Sequence, residues 1–392
     1  MFEAFIVAAV RTAGGRRGGR LAHWHPVELG AQVLNALLTR SGADPALVED
    51  VFMGCVSQVG EQSTNVARNA VLASMLPHTV PGTSIDRQCG SSQQAVHFAA
   101  QAVMSGVMDV VIAGGVESMS RVPMGSPSSL AQKEGLGYYQ SRTLDERYGS
   151  SPFNQFKGAE IIAKKHGLTK DDLDRYALRS HQLAITATRE NLFEREMLEL
   201  PVLSADGEKT AELHRSDEGI RFDATLEKIQ AVKLMREDGL LTAATASQMC
   251  DGASGVLIVN ERGLKALGLR PRARIHHMSV LGDDPVVMLE APIPATQRAL
   301  RKTGLRIEDI DLYEVNEAFA SIPLAWSRAI GAPADRMNVN GGAIAMGHPL
   351  GASGTKLLTT LLHALEHRNK RWGLQTMCEG GGMANVTIIE RV

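Results

Sequence analysis

Asp50-Val51-Phe52-Met53-Gly54-Cys55-Val56 is a short apolar run rich in strand-forming residues. An amphipathic stretch from Thr64 to Leu76 follows it, and Val110-Val111-Ile112-Ala113 returns to strand character. Short β-branched runs alternating with helical ones predict α/β layering. The N-terminal run from Met1 to Thr12 carries Glu3 early and is too short for a signal segment, so it reads as the first strand.

Working outward, an approximate echo links stretches roughly 260 positions apart. Ala43 to Ser57, with Val-Glu-Asp-Val-Phe-Met, resembles Leu305 to Ala320, with Ile-Glu-Asp-Ile-Asp-Leu. Ser84 to Ser92 parallels Val339 to Gly354, each a strand-like entry, a reactive residue, small residues and a helix. Asp109 to Ser118, with Gly114-Gly115, is set against Gln375 to Val386, with Gly380-Gly381-Gly382. Residues 121 to roughly 265 differ in character, first Ser-, Gly- and Pro-rich and then helical and charged, so they read as an insertion. Its helices are expected over Ala159 to Lys165 and Lys170 to Leu192, the second capped by Thr169.

With 392 residues, two or three compact units are expected. Apolar residues at 44% and charged residues at 21% mark a globular chain. Lys plus Arg at 41 nearly cancel Asp plus Glu at 43, so no whole-molecule field recruits nucleic acid or an anionic membrane. No apolar stretch approaches the length of a spanning helix, and a cytoplasmic protein is expected. The four cysteines, Cys55, Cys89, Cys250 and Cys378, lack the spacing of a zinc, iron-sulfur or disulfide framework. No metal is expected.

Cys89 follows a strand-like run and precedes Gly90-Ser91-Ser92, where apolar positions recur at helical spacing. A helix N-terminus there is expected to lower the thiol pKa, and small neighbours keep the sulfur approachable. In Asn340-Gly341-Gly342-Ala343-Ile344-Ala345-Met346-Gly347-His348-Pro349-Leu350-Gly351-Ala352-Ser353-Gly354, glycines surround one histidine held at a turn into a helix from Ser353 to Glu366. The segment lacks Gly-Lys-Ser/Thr and dinucleotide spacing, so it is no phosphate loop. Cys378 and Gly380 end another strand-like run, and Asn316-Glu317-Ala318-Phe319 offers an amide able to hold water or a carbonyl. Cys55 and Cys250 read as small buried hydrophobes, and Glu117 as structural rather than a base.

Cys89 before Gly-Ser-Ser, Gly115-Val116-Glu117-Ser118-Met119-Ser120, Asn316 to Phe319, the 340–354 segment and Cys378-x-Gly380 together resemble the thiolase family, in family order and over essentially the whole chain. The resemblance implies two similar βαβαβαββ halves in a five-layered α-β-α-β-α body: an N-terminal half over 1–120 with a return segment at 250–268, a coenzyme A-binding loop domain over 121–249, and a C-terminal half over 269–392. It implies acyl transfer between 3-oxoacyl-CoA and coenzyme A, with Cys89 the nucleophile, His348 its base, and Cys378 the acid/base toward the α-carbon or incoming thiol. One oxyanion hole would use His348 with a water held by Asn316, the other the N–H groups of Cys89 and Gly380. Ser247 matches the family's pantetheine contact and Arg221 a residue near the adenine nucleotide, with Lys228 and Lys233 as further phosphate candidates. Coenzyme A is then a substrate, no resident cofactor is expected, and a homodimer or dimer of dimers is implied.

Phe156-Lys157-Gly158 and Leu289-Glu290-Ala291-Pro292 depart from short-chain biosynthetic members, and Gln88-Cys89-Gly90 looks more like members handling longer or bulkier acyl chains. The expectation leans degradative. Three other readings fit the residues less well. A ketoacyl-synthase-like enzyme fails for want of a His-Gly-Thr-Gly-Thr segment. An idle lipid-binding protein on the same fold would not need the reactive set intact. A nicotinamide oxidoreductase lacks the glycine fingerprint.

Overall fold

The computed structural model describes residues 2–149 and 153–392. Met1, at the head of the run read as a strand, and residues 150–152 of the insertion lie outside the described residues. The chain builds β1 (Phe5–Thr12), α1 (Pro26–Ser41), β2 (Asp50–Gly54), α2 (Val66–Leu72), β3 (Thr83–Ile85), α3 (Ser91–Ser105) and β4 (Val110–Ser118) before the insertion. The insertion contributes α4 (Ser126–Lys133), α5 (Gln155–Lys165) and α6 (Lys170–Arg189). Beyond it come β5 (Cys250–Val259), β6 (Ala273–Gly282), α7 (Pro292–Thr303), β7 (Leu312–Val315), α8 (Ser321–Ile330), α9 (Ser353–His367), β8 (Trp372–Glu379) and β9 (Met383–Arg391).

The sheet order is β7-β8-β9-β6-β1-β5-β4-β2-β3. From the seam outward both halves run antiparallel, antiparallel, parallel, the N-terminal half adding β3 as one further parallel strand, and they meet at the antiparallel pairs Phe5↔Arg274 and Ile6↔Ala273. The predicted echo is therefore a fold repeat: β2 and β7 are both preceded by a single 3-10 turn, Pro45–Leu47 and Ile307–Asp309. The third stretch of the echo was mis-registered. Gly114 and Gly115 lie mid-strand opposite Met53 and Gly54, whereas Gly380 to Gly382 form the β8–β9 turn, so β4 matches β8 rather than a window running into β9.

Three apolar clusters fill the layers. One packs α1 and α2 on the N-terminal half-sheet, and one packs α3 and α9 between the half-sheets. The largest joins the C-terminal half-sheet and α7–α8 to the insertion helices through residues such as Ile162, Tyr176 and Trp326. The resulting order of layers is α-β-α-β-α, with α9 buried from Ser353 to Leu365 and α3 buried over its first two turns. This middle layer positions the chemistry, because both helices begin at candidate site residues.

Helix α6 starts as expected, with Thr169 and Asp172 closing a reciprocal capping box, and it ends at Arg189 rather than Leu192. A buried charge cluster ties the insertion to the body: Arg11 bonds Asp217 at 2.9 and 3.1 Å and Glu196 at 2.5 Å, while Lys356 donates to the Met346 carbonyl at 2.6 Å. Among the described residues no helix is long and apolar enough to cross a membrane.

Candidate active site

Cys89 sits on the turn between β3 and α3, with the preceding Gln88 in the left-handed region at φ 48°. Ser91 ties the turn together: its hydroxyl donates to the Gln88 carbonyl at 2.6 Å and accepts from the Arg87 N–H at 2.9 Å. A non-glycine residue at positive φ carries strain and needs such fixing. A Cβ on Gly90, the residue after Cys89, would collide with the Glu379 carboxyl as it stands. Hence the sulfur is presented at the start of a buried helix with almost no freedom in its backbone.

The turn entering α9 packs onto the same region by direct backbone contact. A Cβ on Gly351 would meet Cys55 Cα at 2.6 Å and the Glu117 carboxyl at 2.8 Å, so only glycine fits. Glu117 accepts from the N–H groups of Gly351 at 2.8 Å, Val56 at 2.9 Å and Ser57 at 3.0 Å, and from Gln62 at 2.9 Å. It organises the loops as a structural carboxylate, and the Thr355 N–H bonds Ser92 Oγ at 3.0 Å across the two helix starts. Two segments remote in sequence are thereby locked side by side.

His348 is buried, with Nδ1 at 2.5 Å from Ser353 Oγ. That hydroxyl donates to the Pro349 carbonyl at 2.9 Å, so it accepts from His348, which places the proton on Nδ1 and leaves Nε2 as a base. Nε2 lies 3.4 Å from Asn316 Nδ2, and Asn316 Oδ1 is buried without a partner. An amide and an imidazole thus converge with one acceptor unspent, suited to hold a water or a carbonyl. Glu317 beneath them accepts from Tyr176 at 2.9 Å, Ser180 at 2.7 Å, Asn338 at 3.0 Å and the Ile344 N–H at 3.0 Å, joining α6 to the glycine-rich segment.

Cys378 ends β8, wholly buried, and Gly380 follows in the turn. The N–H groups of Cys89 and Gly380 both bond the Cys89 sulfur region and favour its ionised form. The expected lowering of the Cys89 thiol is nonetheless wrong. Burial, then the charge of Glu379, pushes it up to about 12, outweighing those N–H groups. Burial, the Cys89 charge and Glu379 likewise hold Cys378 well above the usual thiol range. Burial and then Lys356 bring His348 down to about 3. At neutral pH the thiol and the imidazole are both uncharged.

Cys89 and Gly380 open onto a cavity of about 830 Å3 walled by Met124, Leu136, Tyr138, Tyr139, Met288 and Leu289. His348, Asn316 and Cys378 are buried and do not line it. A second chamber of about 720 Å3 adjoins it at Phe153 and carries Lys157 and Arg236, two cations that the sequence reading did not select. Ser247 is half-buried, with its N–H on the Ala318 carbonyl at 2.9 Å, and Ala318 lines the larger cavity. Arg221 is exposed and borders neither chamber, while Lys228 is paired with Asp223 at 2.6 Å and Lys233 is exposed. Among the described residues no cluster of three or more His, Cys, Asp or Glu side chains is arranged to hold a metal ion.

Residues 4–262 match the family described as thiolase, N-terminal domain, and residues 269–391 match thiolase, C-terminal domain. The chain is 51% identical to a steroid 3-ketoacyl-CoA thiolase, FadA6, of Mycobacterium tuberculosis, over all of this chain and 95% of that protein. It is 41% identical to a 3-ketoacyl-CoA thiolase of Serratia proteamaculans over the full length of both. Among solved structures it superposes on an acetyl-CoA acetyltransferase of Bacillus anthracis with a TM-score of 0.90 and 34% identity, covering all of this chain and 99% of that one.

Proposed function

This chain belongs to the thiolase family, and on that premise we propose that it cleaves bulky 3-oxoacyl-CoA thioesters with coenzyme A through an acyl-thioester on Cys89. A thiolase is an acyltransferase, and the division of labour follows from the site. Cys89, losing its proton to His348 Nε2, attacks the 3-oxo carbon. The C2–C3 bond breaks, its electron pair forms the acetyl-CoA enolate, and the Cys378 S–H protonates C2. Coenzyme A then gives its S–H proton to the Cys378 thiolate and attacks the acyl-Cys89 carbonyl; the bond from that carbonyl to the Cys89 sulfur breaks, His348 returns its proton to the sulfur, and the shortened acyl-CoA leaves. Charge on the oxygen is met by the N–H groups of Cys89 and Gly380 in one half-reaction, and by His348 with an Asn316-held water in the other.

The observation that carries the acyl-chain assignment is the cavity of about 830 Å3 opening on Cys89, far larger than a two-carbon acyl group needs. Its aromatic and sulfur-bearing walls suit a bulky apolar group, in keeping with the printed name of the mycobacterial relative. The test is kcat/KM across 3-oxoacyl-CoA substrates of increasing length, with one sterol-derived thioester. A rise with acyl bulk is expected; a maximum at acetoacetyl-CoA would overturn the assignment.

The pantetheine arm is assigned to the Ser247–Ala318 face. Lys157 and Arg236 are better placed than Arg221 to meet the phosphates, because both line the adjoining chamber. We also take 121–249 as a loop domain between halves over 1–120, with 250–268, and 269–392. A cytoplasmic homodimer or dimer of dimers acting in the degradative direction completes the reading; light scattering tests the assembly. The chemistry requires no resident cofactor, coenzyme A being consumed as substrate.

A further inference from the structure

Glu379 stands between Cys378 and Gly380 and is used by neither half-reaction. Side chains alternate along a strand, so its carboxyl faces away from the Cys378 sulfur and toward the start of α3, against Gly90. No part of it reaches solvent. The charged and titratable groups around it are few. Arg87 approaches from the β3–α3 turn, but its Nη1 reaches Met383 Sδ at 3.8 Å and its Nε has no partner. Cys89 and Cys378 feel its charge, and Glu117 acts on Cys89 from β4. Farther along α3, His97 meets Thr387 Oγ1 at 2.8 Å, with His277 of β6 beyond it.

Asn385 of β9 donates its NH2 to Glu379 Oε1 and, at 3.3 Å, to Oε2, a contact that favours the ionised carboxylate.

We propose that Glu379 is a proton-controlled positioning residue for the thiol pair: neutral, it adds no charge against a Cys89 thiolate, and ionised, it opposes that thiolate. The proposal rests on Cys89 being the nucleophile. Burial holds the Glu379 carboxyl up at about 8, so it is neutral at and below neutral pH. Above that value its charge raises both thiols, holding back the growth of thiolate that rising pH would otherwise bring.

The test is the rate of Cys89 alkylation by uncharged iodoacetamide, mapped by peptide mass, in wild type and Glu379→Gln. The two rates should coincide at about pH 6, part above about pH 8, and differ at least about threefold in favour of the variant by about pH 10. Superimposable profiles, or a constant ratio at all pH values, would overturn the proposal. Should the Gln variant not fold, Asn385→Leu removes the donor that favours the ionised carboxylate. The bend in the profile should then move to higher pH, and an unmoved bend overturns the idea. Alkylation needs no thiolysis, so a wild-type Cys89 that is never labelled would instead bring down the nucleophile reading, and this proposal with it.

Discussion

Replacing Ser353 by Ala should slow acylation without unfolding the protein. Its hydroxyl makes two bonds, accepting from His348 Nδ1 at 2.5 Å and donating to the Pro349 carbonyl at 2.9 Å. Removing it strands a buried Nδ1–H, a loss of about 1–3 kcal/mol, and frees the ring to carry its proton on Nε2, the tautomer that cannot serve as base. If that loss falls on the transition state, the rate of acetyl-enzyme formation drops roughly 5- to 150-fold. Rapid-quench mixing with acetyl-CoA reads the acetyl-enzyme burst directly, and KM for coenzyme A should stay unchanged, because Ser353 borders neither chamber. A burst rate within about twofold of wild type would refute the tautomer argument.

Three further outcomes are expected. Asn316→Ala should lower kcat by about 10²- to 10³-fold, the cost of removing one oxyanion donor, with steady-state thiolysis as the check. Cys378→Ala should still acetylate at Cys89 yet lose exchange of the acetyl-CoA α-protons, read by NMR in deuterated buffer; retained exchange would remove Cys378 from its role. Burial, then Arg87 and His277, hold His97 down at about 3, so its folded-state pKa lies below its unfolded value of 6.5. The stability of burying it neutral is complete above 6.5 and is lost as pH falls from 6.5 toward 3. His97→Gln should therefore lose less stability over that window than wild type, by about 1.4 kcal/mol per pH unit, in urea melts at stepped pH.

The alternation of strand and helix, the two-fold echo and the capped helix at Thr169 were legible because each is written in local spacing. So were Cys89, His348, Asn316, Cys378 and Gly380 as candidates, though their convergence was not. It depends on Gly351 and Gly354 letting backbone meet backbone, a packing fact with no local signature. The direction of the Cys89 shift was misread for a related reason. A helix start is visible in sequence, but the depth of burial and the Glu379 carboxyl arriving from β8 are not. Arg221 was named on motif position, whereas Lys157 and Arg236 border a chamber, which is a property of the folded surface. Glu379 passed as the unspecified middle residue of a Cys-x-Gly motif.

The account stands on one covalent bond, and acid-quenched peptide mass mapping of wild-type protein mixed with acetyl-CoA looks for it directly. The acetyl group should be recovered on the peptide bearing Cys89, in hydroxylamine-labile form. Its recovery on Cys378 instead, or on no residue at all, would contradict the account.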